Sequence, residues 1–311
     1  MKARRRQIAN WQLRTRLMEL GRRTLVMGIV NVTPDSFSDG GRFFDPEIAV
    51  AHAMRLLDDG ADLLDLGAES TRPGSQAGGA AGTPLAPTVS AEEEQARLLP
   101  VLEGILRARP DAVLSVDTYK AETARAACRA GAEIVNDVSG LFWDSGMAAV
   151  CAEAHCGLIL MHTRGRPEEW QSQSQLAPDG LIASVQAGLQ RSLAIAAASG
   201  IRPEAIVLDP GYGFGKRFDE NFSLLARQSE MLAMGHPLLA GLSRKSFLGR
   251  ALAPLYGGAD APVKARETAS IAAMVAAILH GASLVRVHEV KAAAEAARIA
   301  DAVLTGTRED Y

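Results

Sequence analysis

The chain has 311 residues, of which 48% are hydrophobic and 22% are charged, and its formal net charge is −3. This composition is typical of a soluble globular protein with one large barrel or two ordinary domains, and we expect neither nucleic acid nor a membrane as a partner. Three cysteines without a C-x-x-C motif exclude a disulfide framework and predict a cytoplasmic location, and no apolar run reaches transmembrane length.

The first 24 residues form a basic extension. They contain eight Lys or Arg residues and a single acid, Glu19. A nucleic-acid-binding tail would account for this charge, but there is no aromatic interleaving to support it. We therefore predict a solvated extension with a short helix around Ile8–Leu20. On this interpretation, deletion of Met1–Arg23 leaves activity nearly intact.

From Leu25 onward, apolar strand-like runs alternate with helical stretches. Eight strands are predicted, at Leu25–Val30, Leu63–Leu66, Ala112–Val116, Glu133–Val135, Leu158–Met161, Ala205–Leu208, Pro237–Ala240 and Leu284–Val287. A helix is predicted after each strand, at Pro46–Asp59, Ala91–Arg107, Lys120–Ala130, Ser145–Ala154, Gly180–Ser199, Asp219–Ala233, Val263–His280 and Val290–Leu304. Alternation of this kind indicates an α/β protein with a parallel sheet, and eight units over about 280 residues predict a (β/α)8 TIM barrel of residues 25–306.

An open, doubly wound sheet is the alternative fold. It would need a phosphate-binding fingerprint, and the nearest segment, Gly211-Tyr-Gly-Phe-Gly-Lys, has neither G-x-G-x-x-G spacing nor a P-loop ending. Its glycines would let the backbone approach a flat ligand, or they belong to an ordinary loop. Residues 76–88, rich in Gly, Ala and Pro, predict a flexible insertion after the second strand, and residues 307–311 predict a short tail.

Polar residues follow all eight predicted strands. In chain order they are Asn31; Asp65 and Glu69; Asp117; Asn136 and Asp137; His162; Asp209; Lys245 and Ser246; and Arg286 and His288. The carboxyl ends of barrel strands meet at one face, where the active sites of this architecture lie. We therefore expect these side chains to surround one cavity.

One group at this face would suit the edge of a flat nitrogen heterocycle. Asp117, Asn136 and Asp209 supply hydrogen-bond acceptors from three different strands, and Lys245 supplies a cationic donor. The alternative is that Asp117 and Lys245 form a buried salt bridge with a purely structural role.

A second group is cationic. Arg72, Arg286 and His288 follow the second and eighth strands and would suit a phosphate or pyrophosphate, although His288 alone could cap a helix. Asn31 follows the strand between them and could hold a metal carried in by that anion, since Mg²⁺ binds with few protein ligands.

Several common catalytic motifs are absent from the sequence. It contains no H-E-x-x-H, no Ser-His-Asp order and no context for a cysteine nucleophile. We therefore expect a reaction that electrostatics and positioning can carry. Departure of pyrophosphate fits this expectation, because that leaving group needs neutralising cations rather than a strong general base.

Seven motifs, in order, give the chain a resemblance to dihydropteroate synthase. They are GIVNVTPDSFSDGG, DLGAESTRPGS, SVDTYKAE, IVNDVSG, LDPGYGFGK, GLSRKSFLG and RVHEV. The resemblance spans about Leu25 to Val290 and implies a (β/α)8 barrel. It also implies the condensation of 6-hydroxymethyl-7,8-dihydropterin diphosphate with 4-aminobenzoate in folate synthesis, with release of pyrophosphate by an SN1-like mechanism. Sulfonamides compete with the aminobenzoate in this family, which commonly forms homodimers.

The resemblance also implies roles for individual residues. The pterin contacts would be Asp117, Asn136, Met161, Asp209 and Lys245. The diphosphate contacts would be Asn31, Thr71, Arg286 and His288, with Asn31 as the Mg²⁺ ligand. The aminobenzoate contacts would be Phe37, Arg72, Pro73, Phe214 and Ser246, beneath the loops Ser36–Gly41 and Arg72–Ser75. The residues expected to carry catalysis are Lys245, Arg72, Asp117 and Asp209.

The sequence departs from the family pattern at several points. Thr163 replaces the second Met of M-H-M, Glu289 replaces the Asp of R-V-H-D-V, and neither the basic extension nor residues 76–88 belong to the family core. Three alternatives stay open: a methyltetrahydrofolate:corrinoid methyltransferase, a pterin-binding paralogue without turnover, and a generic phosphosugar barrel. The two loops and the Ser-Arg-Lys-Ser segment favour the synthase.

Overall fold

The computed structural model describes residues 6–33, 45–69 and 89–306. A closed barrel of eight parallel strands dominates the fold, in the order β10-β3-β4-β5-β6-β7-β8-β9, and confirms the predicted architecture. The barrel strands are β3 (Leu25–Asn31), β4 (Leu63–Gly67), β5 (Leu114–Asp117), β6 (Ile134–Asp137), β7 (Gly157–Met161), β8 (Ile206–Asp209), β9 (Leu238–Ala240) and β10 (Ala282–Val287). Two further strands, β1 (Ala9–Gln12) and β2 (Leu17–Leu20), precede them.

Helices surround the barrel in the predicted alternation, except that the described residues after β9 form one α-helix more than predicted. They are α1 (Pro46–Asp58), α2 (Ala91–Ala108), α3 (Ala121–Ala130), α4 (Met147–Ala154), α5 (Pro178–Ala198), α6 (Phe218–Ala226), α7 (Ser246–Ala251), α8 (Glu267–Leu279) and α9 (Val290–Thr305). Short 3₁₀ helices lie at Pro167–Ser172, Pro203–Ala205, Gln228–Met234, Ala253–Leu255 and Val263–Arg266.

Two predicted helices are shorter than expected. The helix predicted to end at Ala233 ends at Ala226 and is followed by the 3₁₀ helix Gln228–Met234, where the buried side chain of Gln228 accepts from the Tyr212 hydroxyl and donates to the Ala277 carbonyl. The helix predicted from Val263 begins at Glu267, after a 3₁₀ turn. The residues concerned lie outside the barrel strands, so the order of the strands is unaffected.

The basic extension is not a solvated helix, and that prediction was wrong. β1 and β2 pair as an antiparallel hairpin across the amino-terminal end of the barrel. Trp11, Leu13 and Leu20 are buried there. They belong to one buried apolar cluster with residues of seven barrel strands and with Val113, which directly precedes β5; the other members are Leu25, Met27, Leu63, Ile134, Ile159, Val207, Leu239 and Leu284. The hairpin therefore closes the bottom of the barrel.

Arginines of the extension form ion pairs and hydrogen bonds with the rest of the protein. Arg6 forms a buried ion pair with Asp301 of α9, and Arg14 donates to the Ala132 carbonyl. Arg23 pairs with Asp62 just before β4. A deletion of Met1–Arg23 would remove these contacts together with Trp11. The expectation that such a deletion is harmless is therefore not supported.

The apolar core lies mainly between the barrel and its helices. Cys128, Cys151 and Cys156 are buried there as free thiols. In the part of the chain that the structure describes, α5 alone has the length and apolar composition of a membrane-crossing helix. Leu181 and Leu189 of α5 are buried, as expected for a helix that packs on β7.

Several predicted features lie outside the described residues. They are the loops Ser36–Gly41 and Arg72–Ser75, the insertion 76–88 and the tail 307–311. The described residues nearest to the two internal gaps are Thr33, Asp45, Glu69 and Val89. Asn31 ends β3 before one gap, and Glu69 follows β4 immediately before the other.

Candidate active site

A cavity of about 320 Å³ opens at the carboxyl ends of the barrel strands. The structure brings ten of the predicted site residues together around it: Asn31, Asp117, Asn136, Met161, Asp209, Phe214, Lys245, Ser246, Arg286 and His288. The other four, Phe37, Thr71, Arg72 and Pro73, lie outside the described residues. The cavity is therefore on the face where barrels of this kind hold their active sites.

A buried carboxylate, Asp65, organises the floor of the site. It is fully buried in β4. Ser115 donates to its Oδ1 at 2.6 Å, and Asn136 Nδ2 donates to its Oδ2 at 2.9 Å. Arg286 Nε also donates to Oδ2, at 2.5 Å. Because the Asn136 amide nitrogen faces Asp65, its carbonyl oxygen is the atom available to accept from a ligand.

Asp117 forms its ion pair with Arg286. The alternative interpretation, a structural salt bridge between Asp117 and Lys245, is not what the described residues show. Arg286 Nη2 donates to Asp117 Oδ2 at 2.6 Å. Burial raises the pKa of Asp117 to about 7, while the Arg286 guanidinium opposes this change. The Asp117 carboxyl therefore binds a proton more readily than an ordinary aspartate does.

Arg286 connects the group expected to bind a flat ring with the cationic group expected to bind a phosphate, which the sequence suggested were separate. It extends from β10 to acids on β4 and β5, whereas it was expected to stand with His288 in a purely cationic group. Two carboxylates thus hold its side chain in place, and among the described residues none accepts a hydrogen bond from its Nη1, which is a further donor. His288 lies nearby in the cavity, with Nδ1 2.9 Å from Ser243 Oγ.

The loop after β8 positions Asp209. Its Oδ1 accepts from the backbone N–H of Gly211 at 2.7 Å, and burial raises its pKa. Gly211 has φ +72°, and a Cβ there would come within 1.9 Å of the His162 carbonyl oxygen. The glycine is therefore required by close approach of backbone to backbone, not by a phosphate.

Sequence reasoning missed the role of Lys216 in this loop. Its buried ammonium donates to the carbonyls of His162, Gly211 and Phe214. Burial lowers the pKa of Lys216 to about 7, against the effect of Asp209. A lysine at the end of a glycine-rich run was the available signal, but without a P-loop spacing it gave no indication of these partners.

Lys245 lies between the loop after β9 and α7. The preceding residue, Arg244, has φ +59° and donates its backbone N–H to Ser270 Oγ at 2.8 Å. Lys245 Nζ lies 4.0 Å from the centre of the Phe214 ring, a cation–π distance. The rings of Phe214 and Trp170 are perpendicular to each other, with their centroids 5.2 Å apart. The ammonium is thus held against one wall of the cavity.

Several polar or aromatic residues line the cavity or its floor without having been given a binding or catalytic role, although Asp65 and Glu69 were expected at this face. They are Asp65, Glu69, Trp170, Ser243, Arg244 and Arg266. For Asp65 a signal existed, because Leu63 faces the barrel interior and a side chain two residues later faces the same side. An acid at such a position indicates a buried polar network. Trp170 comes from a 3₁₀ helix in a long connection, where no strand pattern applies.

A family model described as pterin binding enzyme matches residues 27–288. The chain is 40% identical to the dihydropteroate synthase of Synechocystis, over 92% of each chain. It is also 40% identical to the dihydropteroate synthase of Bacillus subtilis, over 91% of this chain and 89% of the relative.

The chain is also similar, in both sequence and fold, to solved structures of dihydropteroate synthases. Xanthomonas albilineans dihydropteroate synthase with 4-aminobenzoic acid is 39% identical with a TM-score of 0.82, over 96% of this chain and 98% of the other. Yersinia pestis dihydropteroate synthase in a sulfonamide drug complex is 38% identical with a TM-score of 0.83, over 95% and 99%.

Proposed function

Since the chain belongs to the dihydropteroate synthase family of pterin-binding enzymes, transferases of folate synthesis, we propose that it joins 6-hydroxymethyl-7,8-dihydropterin diphosphate to 4-aminobenzoate. The products are 7,8-dihydropteroate and pyrophosphate. The observation that carries this proposal is the shared cavity in which Asp117, Asn136, Asp209 and Lys245 meet.

The pterin ring would occupy the floor of this cavity. Asp117 and Asp209 would accept from ring and exocyclic N–H groups, and the Asn136 carbonyl would accept beside them. Lys245 would donate to a ring nitrogen or the carbonyl oxygen. Met161 lines the same cavity and would pack on the ring face. The fixed network around Asp65 supports such a role, because a preorganised site loses little entropy on binding.

The diphosphate would lie toward Asn31, Arg286 and His288, and Thr71 would join them. Arg286 Nη1 is a donor whose direction two carboxylates determine, which suits a phosphate oxygen. With these donors in place, the negative charge that develops on the leaving group is stabilised without proton transfer.

Mg²⁺ is proposed as an ion that arrives with this diphosphate. The described residues contain no group of three or more His, Cys, Asp or Glu that could hold a metal. Asn31 offers an amide oxygen at the cavity edge, and Mg²⁺ commonly takes one or two protein ligands plus substrate phosphates. The donor set therefore fits an ion shared with substrate, which would neutralise part of the diphosphate charge.

The proposed reaction is SN1-like. The bond between the pterin methylene carbon and the diphosphate oxygen breaks, and both bonding electrons leave with pyrophosphate. The resulting cation is delocalised over the pterin ring, whose edge Asp117 and Asp209 would contact. The aminobenzoate nitrogen then forms the new bond to carbon and loses a proton. An arylamine is already nucleophilic at neutral pH, so no strong general base is needed.

The aminobenzoate would bind at the outer part of the cavity. Phe214 and Ser246 line the cavity and would contact the aminobenzoate, and Phe37, Arg72 and Pro73 are proposed to complete the pocket. Arg72 would bind the carboxylate. A sulfonamide, which the Yersinia pestis relative holds in its drug complex, would compete at this pocket.

We also propose a cytoplasmic homodimer. Ile299 and Val303 of α9 are 68% and 61% exposed, and an apolar pair on one helix favours contact with a second copy. Sedimentation at several concentrations would test this part of the proposal. A monomer at all of them would contradict it.

A pyrophosphate-release assay tests the function. Purified protein is mixed with the pterin diphosphate and Mg²⁺, with and without 4-aminobenzoate, and both pyrophosphate and dihydropteroate are measured. The expected result is product formation only with the amine. Pterin binding without any release of pyrophosphate would contradict the proposal and indicate a binding paralogue.

A further inference from the structure

A second cavity, of about 170 Å³, lies beside the main one at the same end of the barrel. We call it the side cavity; residues that follow β6, the end of β7 and helix α5 form its walls. Met161 lines both cavities, so the two are neighbours, and it is the one residue of the side cavity that the proposed reaction uses. The walls include Phe142, Trp143, Met161, His162, Arg191 and Ser192.

The side cavity carries positive charge without a matching acid, since none of the residues that line it is Asp or Glu. The Arg191 guanidinium carbon lies 5.5 Å from the centre of the Phe142 ring, and within the described residues Arg191 has neither an ion pair nor a hydrogen bond. Arg166 lies over the Trp143 ring at 5.4 Å and donates to the Trp143 carbonyl at 3.4 Å. Two guanidinium groups beside aromatic walls favour an anionic ligand.

His162 has a fixed position in the wall of the side cavity. Its backbone N–H donates to the Asp209 carbonyl at 2.9 Å, and its carbonyl accepts from Lys216. The ring packs against α5 at Gly188, where a Cβ would come within 2.4 Å of His162 Cδ2. Both the backbone and the ring of His162 are therefore held by neighbouring elements.

His162 also has an unpaired ring nitrogen. Its side chain is buried, and Nδ1 is the one buried side-chain nitrogen or oxygen of the described residues that has no hydrogen-bond partner. Burial lowers the pKa of His162 well below its usual value, and the charges of Lys216, Arg164 and Arg191 lower it further. The ring is therefore neutral and can both donate and accept. Because buried polar groups are normally paired, this nitrogen favours a polar ligand nearby.

The size and the walls of the side cavity restrict the class of ligand. A cavity of about 150 Å³ can hold benzene, so this one has room for a six-membered ring. Phe142 and Trp143 offer aromatic surfaces for such a ring, and Arg191 can donate two parallel hydrogen bonds to a carboxylate. Phosphate would leave the aromatic walls without contacts, and a neutral aromatic would leave Arg191 without an anion.

We propose that the side cavity is a second ligand site, which binds a small aromatic carboxylate. The carboxylate pairs with Arg191, the ring packs against Phe142 and Trp143, and His162 supplies a further hydrogen bond. This inference goes beyond the proposed function, in which the site has no part.

A fluorine NMR titration of the full chain with 4-fluorobenzoate tests the proposal. Excess pteroic acid is present to fill the main cavity, so that saturable binding reports on another site. We expect a Kd of about 1 mM, as is usual for a ligand of this size. The neutral 4-fluorobenzamide has nearly the same shape and should bind at least about 10-fold more weakly, because it cannot form the charged pair.

A pair of variants locates the binding. Arg191→Met should weaken binding of 4-fluorobenzoate by about 10-fold or more, and Arg191→Lys should restore part of the loss. Arg250→Met is the matched control, since the Arg250 guanidinium carbon also lies 5.5 Å from the centre of an aromatic ring, that of Phe218. Arg250 lines neither cavity, and its replacement should leave the affinity unchanged.

Three results would overturn the proposal: no saturable binding in the presence of pteroic acid, equal binding of the amide, or a wild-type affinity in folded Arg191→Met. If Arg191→Met does not fold, Phe142→Ala replaces a side chain that is 47% exposed, and an unchanged affinity in it counts equally against the site. A protein that neither binds pteroic acid nor releases pyrophosphate would refute the proposed function alone. In that case the comparison of wild type with Arg191→Met, without pteroic acid, still decides whether the side cavity binds the carboxylate.

Discussion

Trp11→Ala should destabilise this barrel strongly, although Trp11 lies in a segment outside the eight βα units. The side chain is 1% exposed at the bottom of the barrel, and its Nε1 donates to the Ala205 carbonyl at 2.8 Å. Truncation of a buried Trp to Ala costs about 3–5 kcal/mol, and the unpaired carbonyl adds about 1 kcal/mol. The expected total of about 4–6 kcal/mol is a large part of the roughly 5–15 kcal/mol by which domains are stable.

Urea unfolding of Trp11→Ala, followed by circular dichroism, measures this change. Leu17→Ala in the same hairpin is the matched control, since Leu17 is 62% exposed and its loss should stay within about 0.5 kcal/mol. In the folded fraction of Trp11→Ala, the KM values should match the wild type, because the hairpin lies at the end of the barrel opposite the cavity. Equal unfolding midpoints for the two variants would refute the idea that the hairpin closes the core.

Three further predictions concern the cavity. Lys245→Ala should lower kcat/KM by about 10²-fold or more through loss of a preorganised donor, and wild-type turnover would remove Lys245 from the mechanism. Pterin affinity should fall as the pH drops below about 7, because Asp117, whose pKa is raised to about 7, becomes protonated and no longer accepts as a carboxylate. Calorimetry at several pH values checks this, and a wild-type pH dependence in Asp117→Asn would contradict it. Arg72→Ala should weaken capture of aminobenzoate more than binding of the pterin diphosphate, and equal losses in both titrations would exclude the assigned pocket.

Much of the fold could be predicted because it depends on local pattern. Runs such as Leu25–Val30 are apolar on both faces, as strands buried between a barrel interior and its helices must be. Polar residues at strand ends, such as Asp117 and Asp209, then identify the active face through the geometry of parallel strands. The basic extension was mispredicted because its burial depends on a surface that forms only when all eight strands have closed.

Alternation, strand-end chemistry and seven ordered motifs were sufficient, in the sequence alone, to predict the barrel, the family and the residues around one cavity. Only the tertiary structure decided which groups contact each other. Arg286 pairs with Asp65 and Asp117, Lys120 pairs with Glu69 and Glu94, and Trp11 packs at the bottom of the barrel, opposite the cavity. The physical reason is that side-chain direction follows from local periodicity, whereas the partner of a charge depends on distances between residues far apart in the chain.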